Sequence, residues 1–396
     1  MKGVAEHGLS SGESVLDLKG KRPQLSSMQR RINFAVEHPD YSWIEFAENV
    51  PKHELKFEPK PAIDWVADTQ VYADSKGLME FRTAISGRLC GDPLRAIDNI
   101  LVTAGGMHGI GLVARELYSV GVRRAWCQLP LFRSVYDSLQ AVGMEVVGLS
   151  VSPGDLISYL GILGPTDVLY VNSPQNPTGD VLSDDSVQAL GALSENTGCA
   201  VLFDSVYDDF TVSPAERGSF AITQLALTGE RIFKIGSMSK NHGLPGLRMG
   251  WVVSYPLQIR ELATRLEWES VAMGTAAQRF AAGLVSSGDR ELQETVRVGR
   301  EFVRHRIGLL SASGWPCSIS GDAAGGTQLW INAGMSDTEQ FAEYAFSEHS
   351  LLLTSHANYV GAGTNCLRLP VGLPLEELSV GLDRFEHAIR AYWAIA

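Results

Sequence analysis

The stretch RIFKIGSMSKNHGLPGLRMGW, residues 231–251, decides what this chain folds into. It begins with a short apolar run typical of a β-strand, and Ser237, Ser239 and Lys240 follow where that strand ends. A glycine-rich turn leads to Arg248, eight places beyond the lysine. A guanidinium and two hydroxyl groups can bind a phosphate, and a partly desolvated lysine beside a cation has its pKa lowered enough to act as a nucleophile. Taken alone, so short a pattern more often marks a surface lysine near a loop arginine.

The composition is that of an ordinary globular protein. The chain has 396 residues, of which 45% are hydrophobic and 20% charged, and this length suggests two to three domains with a sizeable core. The net charge of −12 argues against a non-specific nucleic-acid binder, which needs a basic surface. No apolar run has the length of a signal peptide or a membrane helix. We therefore expect a cytoplasmic protein with neither nucleic acid nor membrane as a partner.

The five cysteines argue against a structural role for sulfur. They are widely spaced, odd in number and contain no CxxC pair, so neither a disulfide framework nor a zinc site is indicated. We expect reduced thiols and no bound metal. The cysteines are Cys90, Cys127, Cys199, Cys317 and Cys366.

Short β-rich runs alternate with helical segments through residues 100–236. Strands that are apolar on both faces and separated by helices are typical of a largely parallel sheet covered on each side. The pattern predicts an α/β fold with a three-layer αβα large domain, whose functional site lies at the carboxyl ends of the strands. The runs are ILVTA (100–104), AWCQL (125–129), EVVGL (145–149), DVLYVN (167–172), AVLFD (200–204) and RIFKIG (231–236).

The pattern becomes more helical towards the C-terminus, which predicts a second, smaller α+β domain. Helices are expected at residues 291–310 and 375–392, and strands at 327–331 and 366–369. Near the N-terminus, WIEF (43–46) is a further candidate strand, followed by a connector at 51–61. The predicted organisation is an N-terminal arm and part of the small domain at 1–50, the large domain at 51–290, and the small C-terminal domain at 291–396.

Three further segments carry polar groups or glycines where predicted strands end. In FDSVYDDF, Asp204 ends a strand and Tyr207 follows; a buried aspartate there needs a partner such as a protonated ring nitrogen, although a helix N-cap with a packed tyrosine fits as well. In NSPQNPTG, Asn176 lies in a tight turn that needs no function. In TAGGMHG (103–109), glycines open a helix whose backbone amides can bind a phosphate, with a plain tight turn as the alternative.

In order and spacing, these four segments resemble the class I and II aminotransferases, which are pyridoxal-phosphate enzymes of fold type I. The resemblance extends over about residues 72–368. In that family the lysine of the SxSK segment forms the internal aldimine with pyridoxal 5'-phosphate, which implies Lys240. The strand-end aspartate keeps the pyridine nitrogen protonated, which implies Asp204, and Tyr207 with Asn176 would bond the phenolic oxygen of the ring. The implied catalytic residues are Lys240, Asp204 and Tyr207.

The same resemblance implies the rest of the site. Phe132, two places after a proline, corresponds to the aromatic residue that stacks on the ring. In YADSKGLMEFR, Tyr72 corresponds to the tyrosine that reaches the neighbouring subunit's phosphate, which implies a homodimer with shared active sites. In CLRLPVG, Arg368 corresponds to the arginine that binds the substrate α-carboxylate, and Asn176 would also face the substrate. The implied phosphate ligands are Gly105, Gly106, Met107, Ser237, Ser239 and Arg248.

Two segments depart from the family pattern. In FAENVP this chain has Ala47 and Glu48 where the family has a glycine beside the substrate carboxylate, so Glu48 is a candidate substrate contact unless it faces the surface. In LLLTSHANYVG, Ser355 and His356 replace a common proline and glycine, and His356 is a second candidate unless it is structural. Residues 266–278 contain no arginine placed for a dicarboxylate, which disfavours aspartate or glutamate as the amino donor.

We therefore predict a homodimeric pyridoxal-phosphate-dependent aminotransferase that acts on an α-amino acid. The alternative is a lyase, cyclase or decarboxylating deaminase of the same fold, for example one that cleaves a C–S bond or cyclises a modified amino acid in a specialised biosynthetic pathway. A cofactor-sensing regulator built on the same domain would need a basic DNA-binding module, for which the short N-terminal arm leaves no room.

Overall fold

The computed structural model describes residues 25–52, 63–149, 162–211, 218–285, 289–321 and 323–395. Most of the expected N-terminal arm, residues 1–24, and most of the expected connector, residues 53–61, lie outside this set.

The strands within the described residues include the nine expected from the sequence and six further short ones. In chain order they are β1 (Ile44–Glu45), β2 (Ile100–Thr103), β3 (Arg124–Gln128), β4 (Leu131–Phe132), β5 (Glu145–Leu149), β6 (Asp167–Asn172), β7 (Ala200–Asp204), β8 (Ile232–Ser237), β9 (Gly250–Val253), β10 (Ser318–Ser320), β11 (Gln328–Asn332), β12 (Leu351–Leu352), β13 (Thr354–Ser355), β14 (Tyr359–Val360) and β15 (Cys366–Pro370).

Helices fill most of the intervals between these strands. In chain order they are α1 (Ser27–Glu37), α2 (Trp65–Thr69), α3 (Met79–Cys90), α4 (Gly106–Ser119), α5 (Arg133–Val142), α6 (Asp184–Thr197), α7 (Gly218–Thr228), α8 (Met238–Asn241), α9 (Pro256–Ser270), α10 (Thr275–Val285), α11 (Arg290–Ala312), α12 (Thr338–His349) and α13 (Leu375–Ile395), with short 3₁₀ helices at Ile97–Asn99, Pro245–Leu247 and His356–Asn358.

A seven-stranded sheet forms the larger core. Its strand order is β2-β9-β8-β7-β6-β3-β5. All neighbours from β8 to β5 are parallel, whereas β9 is antiparallel to both β2 and β8. Every residue of β7 is buried, as expected for a parallel strand with helices on both faces. Helix α4 packs with α5 and α9, and α6 packs with α7, so the predicted three-layer αβα fold is confirmed.

The antiparallel strand β9 was not among the expected strands. It begins at the end of the segment 231–251, and it has only four residues, one of them Gly250. So short a run carries little strand signal of its own. Its residues are all buried because it fills the gap between β2 and β8 in the sheet.

A second core is built from the C-terminal part of the chain. The antiparallel sheet β10-β11-β15-β13 packs with α11 and α12, and α13 packs against these two helices, as expected for a small α+β unit. Phe46 joins this core from the N-terminal side, and β1 pairs in parallel with β12. The domain boundaries placed near residues 50 and 290 stay predictions.

The described part of the chain contains neither a candidate membrane-spanning helix nor a candidate metal-binding cluster. None of its helices is long and apolar enough to cross a membrane. Among the same residues, no group of three or more histidine, cysteine, aspartate or glutamate side chains is arranged to hold a metal ion.

Two glycines of α11 should respond to alanine in opposite directions. A Cβ on Gly299 would lie 2.0 Å from Val371 O, so Gly299→Ala should lower the free energy of unfolding by about 3 kcal/mol because backbone must move. Gly308 lies in the same helix with nothing within 4 Å of an added Cβ. Gly308→Ala should therefore raise the free energy by roughly 0.5–1 kcal/mol through helix propensity. Urea unfolding of both variants measures this, and equal effects would contradict the packing seen here.

Candidate active site

The register of the central sheet brings the sequence motifs to one edge. Gly250 pairs with Thr103 on one side and with Ser237 on the other. Asp204 pairs with Asn172, and β7 continues this alignment to β8. The carboxyl ends of β2, β8, β7 and β6 therefore lie side by side, which is where sheets of this kind bind ligands.

Lys240 lies one turn beyond the end of β8. Ser237 caps α8 by accepting a hydrogen bond from Ser239 N at 3.1 Å, and its own Oγ donates to Ser239 Oγ at 3.0 Å. Lys240 Nζ makes no hydrogen bond or ion pair with any described residue. Desolvation, with Arg368 as the next cause, lowers the pKa of Lys240 to about 7, against an opposing effect of Glu48 and Glu45. Near neutral pH this amine is therefore partly uncharged and able to act as a base or nucleophile.

The N-terminus of α4 faces the side chain of Arg248. Gly105 precedes the helix with φ +86° and provides no side-chain cap, so the first-turn amides of Gly106 and Met107 are left without a side-chain acceptor. Arg248 Nη2 donates to Ala104 O at 3.1 Å, and a Cβ on Gly105 would lie only 2.7 Å from that nitrogen. An uncapped helix N-terminus beside a guanidinium is well suited to a phosphate group.

The two serines lie close to the start of α4. A Cβ built on Gly106 would lie 3.8 Å from Ser237 Cβ, so the hydroxyl pair of Ser237 and Ser239 adjoins the start of α4. The structure thus brings together all six residues that the sequence assigned to the phosphate.

Asp204 is a buried carboxylate with no cationic partner among the described residues. Its Oδ2 accepts a hydrogen bond from Tyr170 Oη at 2.8 Å, and its Oδ1 accepts one from Val206 N at 3.2 Å. Asn172 Nδ2 donates to the Asp204 carbonyl oxygen at 3.0 Å and holds the strand end. Burial raises the pKa of Asp204 to about 6. A cationic ring nitrogen would compensate this charge.

Arg368 is buried in the centre of a polar network, with 5% of its surface exposed. Its Nη1 donates to Asn176 Oδ1 at 3.1 Å and to Tyr359 Oη at 2.9 Å. Its Nη2 donates to Ala47 O and, at 3.4 Å, to Thr354 Oγ1. Its Nε has no hydrogen-bond partner, and no described carboxylate pairs with this guanidinium. Such a group is available to an anionic ligand.

Phe132 and Asn176 line one small cavity together with Tyr170. Phe132 lies on β4, which pairs with β14 so that Phe132 stands opposite Tyr359, with 6.0 Å between ring centroids. Tyr359 also packs against Trp330 at 5.1 Å and donates to Asn176 Oδ1 at 2.9 Å. Tyr359 therefore connects the aromatic wall of the cavity to Asn176.

Tyr207 lies in the turn after β7 and contacts Asn49, whose Nδ2 is 3.5 Å from Tyr207 Oη. Burial raises the pKa of Tyr207 above its ordinary value. The next residue, Asp208, pairs with the buried Lys234 at 3.0 Å and accepts from Asn241 Nδ2 at 2.6 Å. Because Asn241 adjoins Lys240, this buried pair fixes the Tyr207 turn and the lysine helix relative to each other.

Three predicted site residues are not packed into the pocket of this chain. Tyr72 is 84% exposed and makes no hydrogen bond with the described residues. His356 lies with Nδ1 3.0 Å from Thr338 Oγ1, inside the small unit. The Glu48 side chain is exposed, although both of its neighbours contact site residues. The functional roles assigned to these and the other site residues stay predictions.

Sequence reasoning missed four residues that the structure adds to the site. Tyr170 and Tyr359 donate to Asp204 and Asn176, Asn49 contacts Tyr207, and Glu45 acts on Lys240 through its charge. Tyr170 could have been suspected as the one aromatic hydroxyl in DVLYVN, two places before Asn172 on the same strand face. The other three carry no such local signal.

Comparison with known proteins defines the class. Residues 41–385 match the family model described as aminotransferase class I and II. The chain therefore belongs to the class I and II aminotransferase family and is an enzyme of that family. Members of this family depend on pyridoxal phosphate.

Two curated relatives are similar over almost the whole chain. The 3-methylarginine biosynthesis aminotransferase ArgM of Streptomyces arginensis is 35% identical over 365 residues, 91% of this chain and 95% of the relative. The L-aspartate:5-guanidino-3-methyl-2-oxopentanoate transaminase of Pseudomonas syringae pv. syringae is 33% identical over 383 residues, with the same coverages of 91% and 95%.

Solved structures share the fold at lower identity. An aminotransferase from Mycobacterium tuberculosis superposes with a TM-score of 0.78 at 18% identity and covers 92% of this chain and 96% of its own. The aspartate aminotransferase of Thermotoga maritima gives a TM-score of 0.76 at 20% identity, with coverages of 92% and 98%. These likenesses confirm the predicted fold type I architecture.

Gly105→Ala should weaken binding of pyridoxal phosphate by at least tenfold. Its φ of +86° strains any other residue, and the added methyl would displace Arg248 Nη2. The control is Gly246→Ala in the neighbouring turn, where nothing lies within 4 Å of an added Cβ. Titration of the apoproteins, followed by cofactor absorbance, measures both dissociation constants. If both variants bind the cofactor as tightly as the wild type, the N-terminus of α4 is not part of the cofactor site.

The reactivity of Lys240 should follow its lowered pKa. In the apoprotein, labelling by an amine-specific reagent should rise with a midpoint near pH 7, because only the neutral amine reacts, whereas N-acetyl-lysine amide in the same buffer titrates at the ordinary lysine pKa. Arg368→Gln should move the midpoint to higher pH because a neighbouring cation is lost. Glu48→Gln should move it lower because a neighbouring anion is lost. Peptide mass spectrometry gives the midpoints, and shifts of reversed sign would contradict this electrostatic arrangement.

Proposed function

We propose that this aminotransferase uses pyridoxal 5'-phosphate to act on an α-amino acid, with Lys240 as the residue that moves the α-proton. Arg368 carries the proposal. Its guanidinium is 5% exposed, its Nε lacks a partner, and no described carboxylate pairs with it. A buried cation in that state needs an anion, and the α-carboxylate of an amino acid would supply one.

The residues around this point fit pyridoxal phosphate. The uncapped start of α4, the two serines and Arg248 would hold its phosphate, and a Cβ at Gly105 would intrude on that cradle. Asp204, buried without a cation, would pair with the ring nitrogen, and Phe132 with Asn176 would border the ring. When bound, the cofactor supplies an aldehyde for the substrate amine and a ring that withdraws electrons from Cα.

The protein's own contribution is proton transfer and positioning. Lys240 Nζ, with a pKa near 7, can take the proton from Cα and return it to another atom. Arg368 would bind the carboxylate through its fork of N–H groups and so fix which Cα substituent faces Lys240. Tyr359 and Asn176 hold the Arg368 guanidinium in place. Tyr207 would donate to the phenolic oxygen of the ring.

We further propose that the substrate side chain ends in a guanidinium group. Both curated relatives carry that group in their names: one serves 3-methylarginine biosynthesis, and the other acts on 5-guanidino-3-methyl-2-oxopentanoate. With identities of 35% and 33% over 91% of the chain, the same substrate class and a specialised biosynthetic role are the best supported choice.

We propose a homodimer with shared sites as well. Tyr72 is 84% exposed and Trp268 is 87% exposed, and Trp65 on α2 is also exposed. Thr275 Oγ1 donates to Val71 O at 3.1 Å and so joins α10 to the Tyr72 loop. Burying these aromatic side chains against a second copy would be favourable and would place Tyr72 near the partner's phosphate pocket. The five free cysteines accord with a cytoplasmic location.

The first half-reaction of transamination, from the amino donor to the cofactor, should proceed without an oxo-acid acceptor. Holoenzyme mixed with L-arginine and no oxo acid should convert its cofactor to the pyridoxamine form stoichiometrically and then stop. Lys240→Ala should abolish this conversion, slowing it by many powers of ten, each worth about 1.4 kcal/mol of barrier. Absorbance spectroscopy with product analysis follows the reaction.

Continuous product formation without an acceptor would contradict transamination and favour a lyase, cyclase or deaminase. Unchanged conversion in Lys240→Ala would remove Lys240 from the reaction. The control for folding is Lys76→Ala, at a partly exposed lysine outside the pocket described here.

A further inference from the structure

We propose that residues 44–49 carry the recognition site for the cationic end of the substrate, with Glu48 and Glu45 as the side chains that bind a guanidinium group. The inference rests on the proposed function, which places the substrate carboxylate on Arg368. It assigns to this chain's own residues the specificity that the relatives' names only suggest.

The backbone holds Glu48 beside the reaction centre. The preceding residue, Ala47, accepts a hydrogen bond from Arg368 Nη2 through its carbonyl oxygen. The following residue, Asn49, has its Nδ2 3.5 Å from Tyr207 Oη. Consecutive Cα atoms are about 3.8 Å apart, so Glu48 cannot lie far from either contact. Glu48 therefore lies one residue from a contact of Arg368 and one residue from a contact of Tyr207.

The carboxylate of Glu48 is left open by its surroundings. Ala47 and Asn49 are buried, with 1% and 2% of their surfaces exposed, whereas the Glu48 side chain is exposed. Glu48 N donates to a carboxylate oxygen of Glu45, which keeps the two acids within one turn. Both acids act on the charge of Lys240, so both lie within electrostatic reach of the reacting amine.

This region has two acidic side chains and one basic side chain that form no ion pair with a described residue. Neither Glu48 nor Glu45 forms an ion pair with a described residue, and the nearby Lys52 is engaged by Glu377 at 3.0 Å. Arg368 is a buried cation with a free Nε and no described acid. A molecule with a carboxylate at one end and a cation at the other would neutralise both parts of the pocket.

A guanidinium suits these two carboxylates better than an ammonium does. It is planar and presents five N–H donors in a rigid fork, so it can donate to two carboxylate groups at once. Bidentate pairs of this kind add geometric specificity to charge attraction. A neutral urea has the same outline without the charge, and it therefore isolates the effect of these two acids.

The test compares two unreactive ligands on the holoenzyme by calorimetry. The first is 5-guanidinopentanoate, an arginine without its α-amino group, and the second is its neutral analogue 5-ureidopentanoate. The wild type should bind the guanidino ligand roughly 10- to 100-fold more tightly, as expected from charge-assisted hydrogen bonds. Equal binding of both ligands in the wild type would overturn the proposal whatever the variants do.

Two variants assign the effect to its residues. Glu48→Gln and Glu45→Gln should each reduce the preference for the guanidino ligand, and the double variant should abolish it, while binding of the ureido ligand stays within about twofold. Glu261→Gln, at an exposed position on α9, removes the same charge elsewhere and should keep the full preference. A preference retained in the double variant, or lost equally in the Glu261 variant, would refute the assignment.

The results can distinguish failure of the proposed recognition site from failure of the proposed transamination reaction. Preferential guanidino binding without transamination of L-arginine would support the recognition site and refute the proposed reaction. Transamination of L-arginine and L-citrulline with equal kcat/KM, together with equal binding of the two ligands, would support the reaction and refute the recognition site.

Discussion

The hydrogen-bond register of β2, β9, β8, β7 and β6 is the constraint on which the rest of the structure depends. It sets Thr103 and Ser237 on either side of Gly250 and sets Asp204 opposite Asn172. Because side chains alternate along a strand, a slip of one residue would turn each polar strand end to the opposite face. The buried ion pair of Lys234 and Asp208 stabilises the same edge of the sheet, because removing either residue would leave a buried charge without compensation.

Around this edge the protein keeps several groups whose charges are not matched within the described residues. Among the described residues, Asp204 has no cationic partner, Arg368 has no acidic partner, and Lys240 Nζ makes no hydrogen bond or ion pair. Each is costly in the free protein because burial removes water without a compensating charge. A ligand that completes them therefore stabilises the folded state as it binds. The placement of these three groups is compatible with the proposed cofactor and amino-acid substrate, which would bring a cationic ring nitrogen, a carboxylate and an amine-reactive carbon.

The N-terminal segment joins the two cores at this point. Phe46 packs into the smaller core, and a Cβ on Gly381 of α13 would lie 2.1 Å from its ring. One residue later Ala47 O accepts from Arg368, and Asn49 reaches Tyr207 on the larger core. This short segment thus contacts the smaller core and also Arg368 and Tyr207, two of the proposed site residues. Such segments are suited to setting specificity, since they can change without altering the sheet.

The sequence by itself determined the fold class, most strands of the central sheet and the residues that meet at its edge, because apolar runs and strand-end polar groups are local patterns. It did not reveal β9, whose four residues become a strand only between two others. Nor did it reveal Tyr359, which reaches Asn176 across 183 positions, or Asn49, which reaches Tyr207 across 158. Tertiary structure alone decided these partners and the pKa of Lys240, because hydrogen bonds and desolvation depend on distance in space and not on separation along the chain.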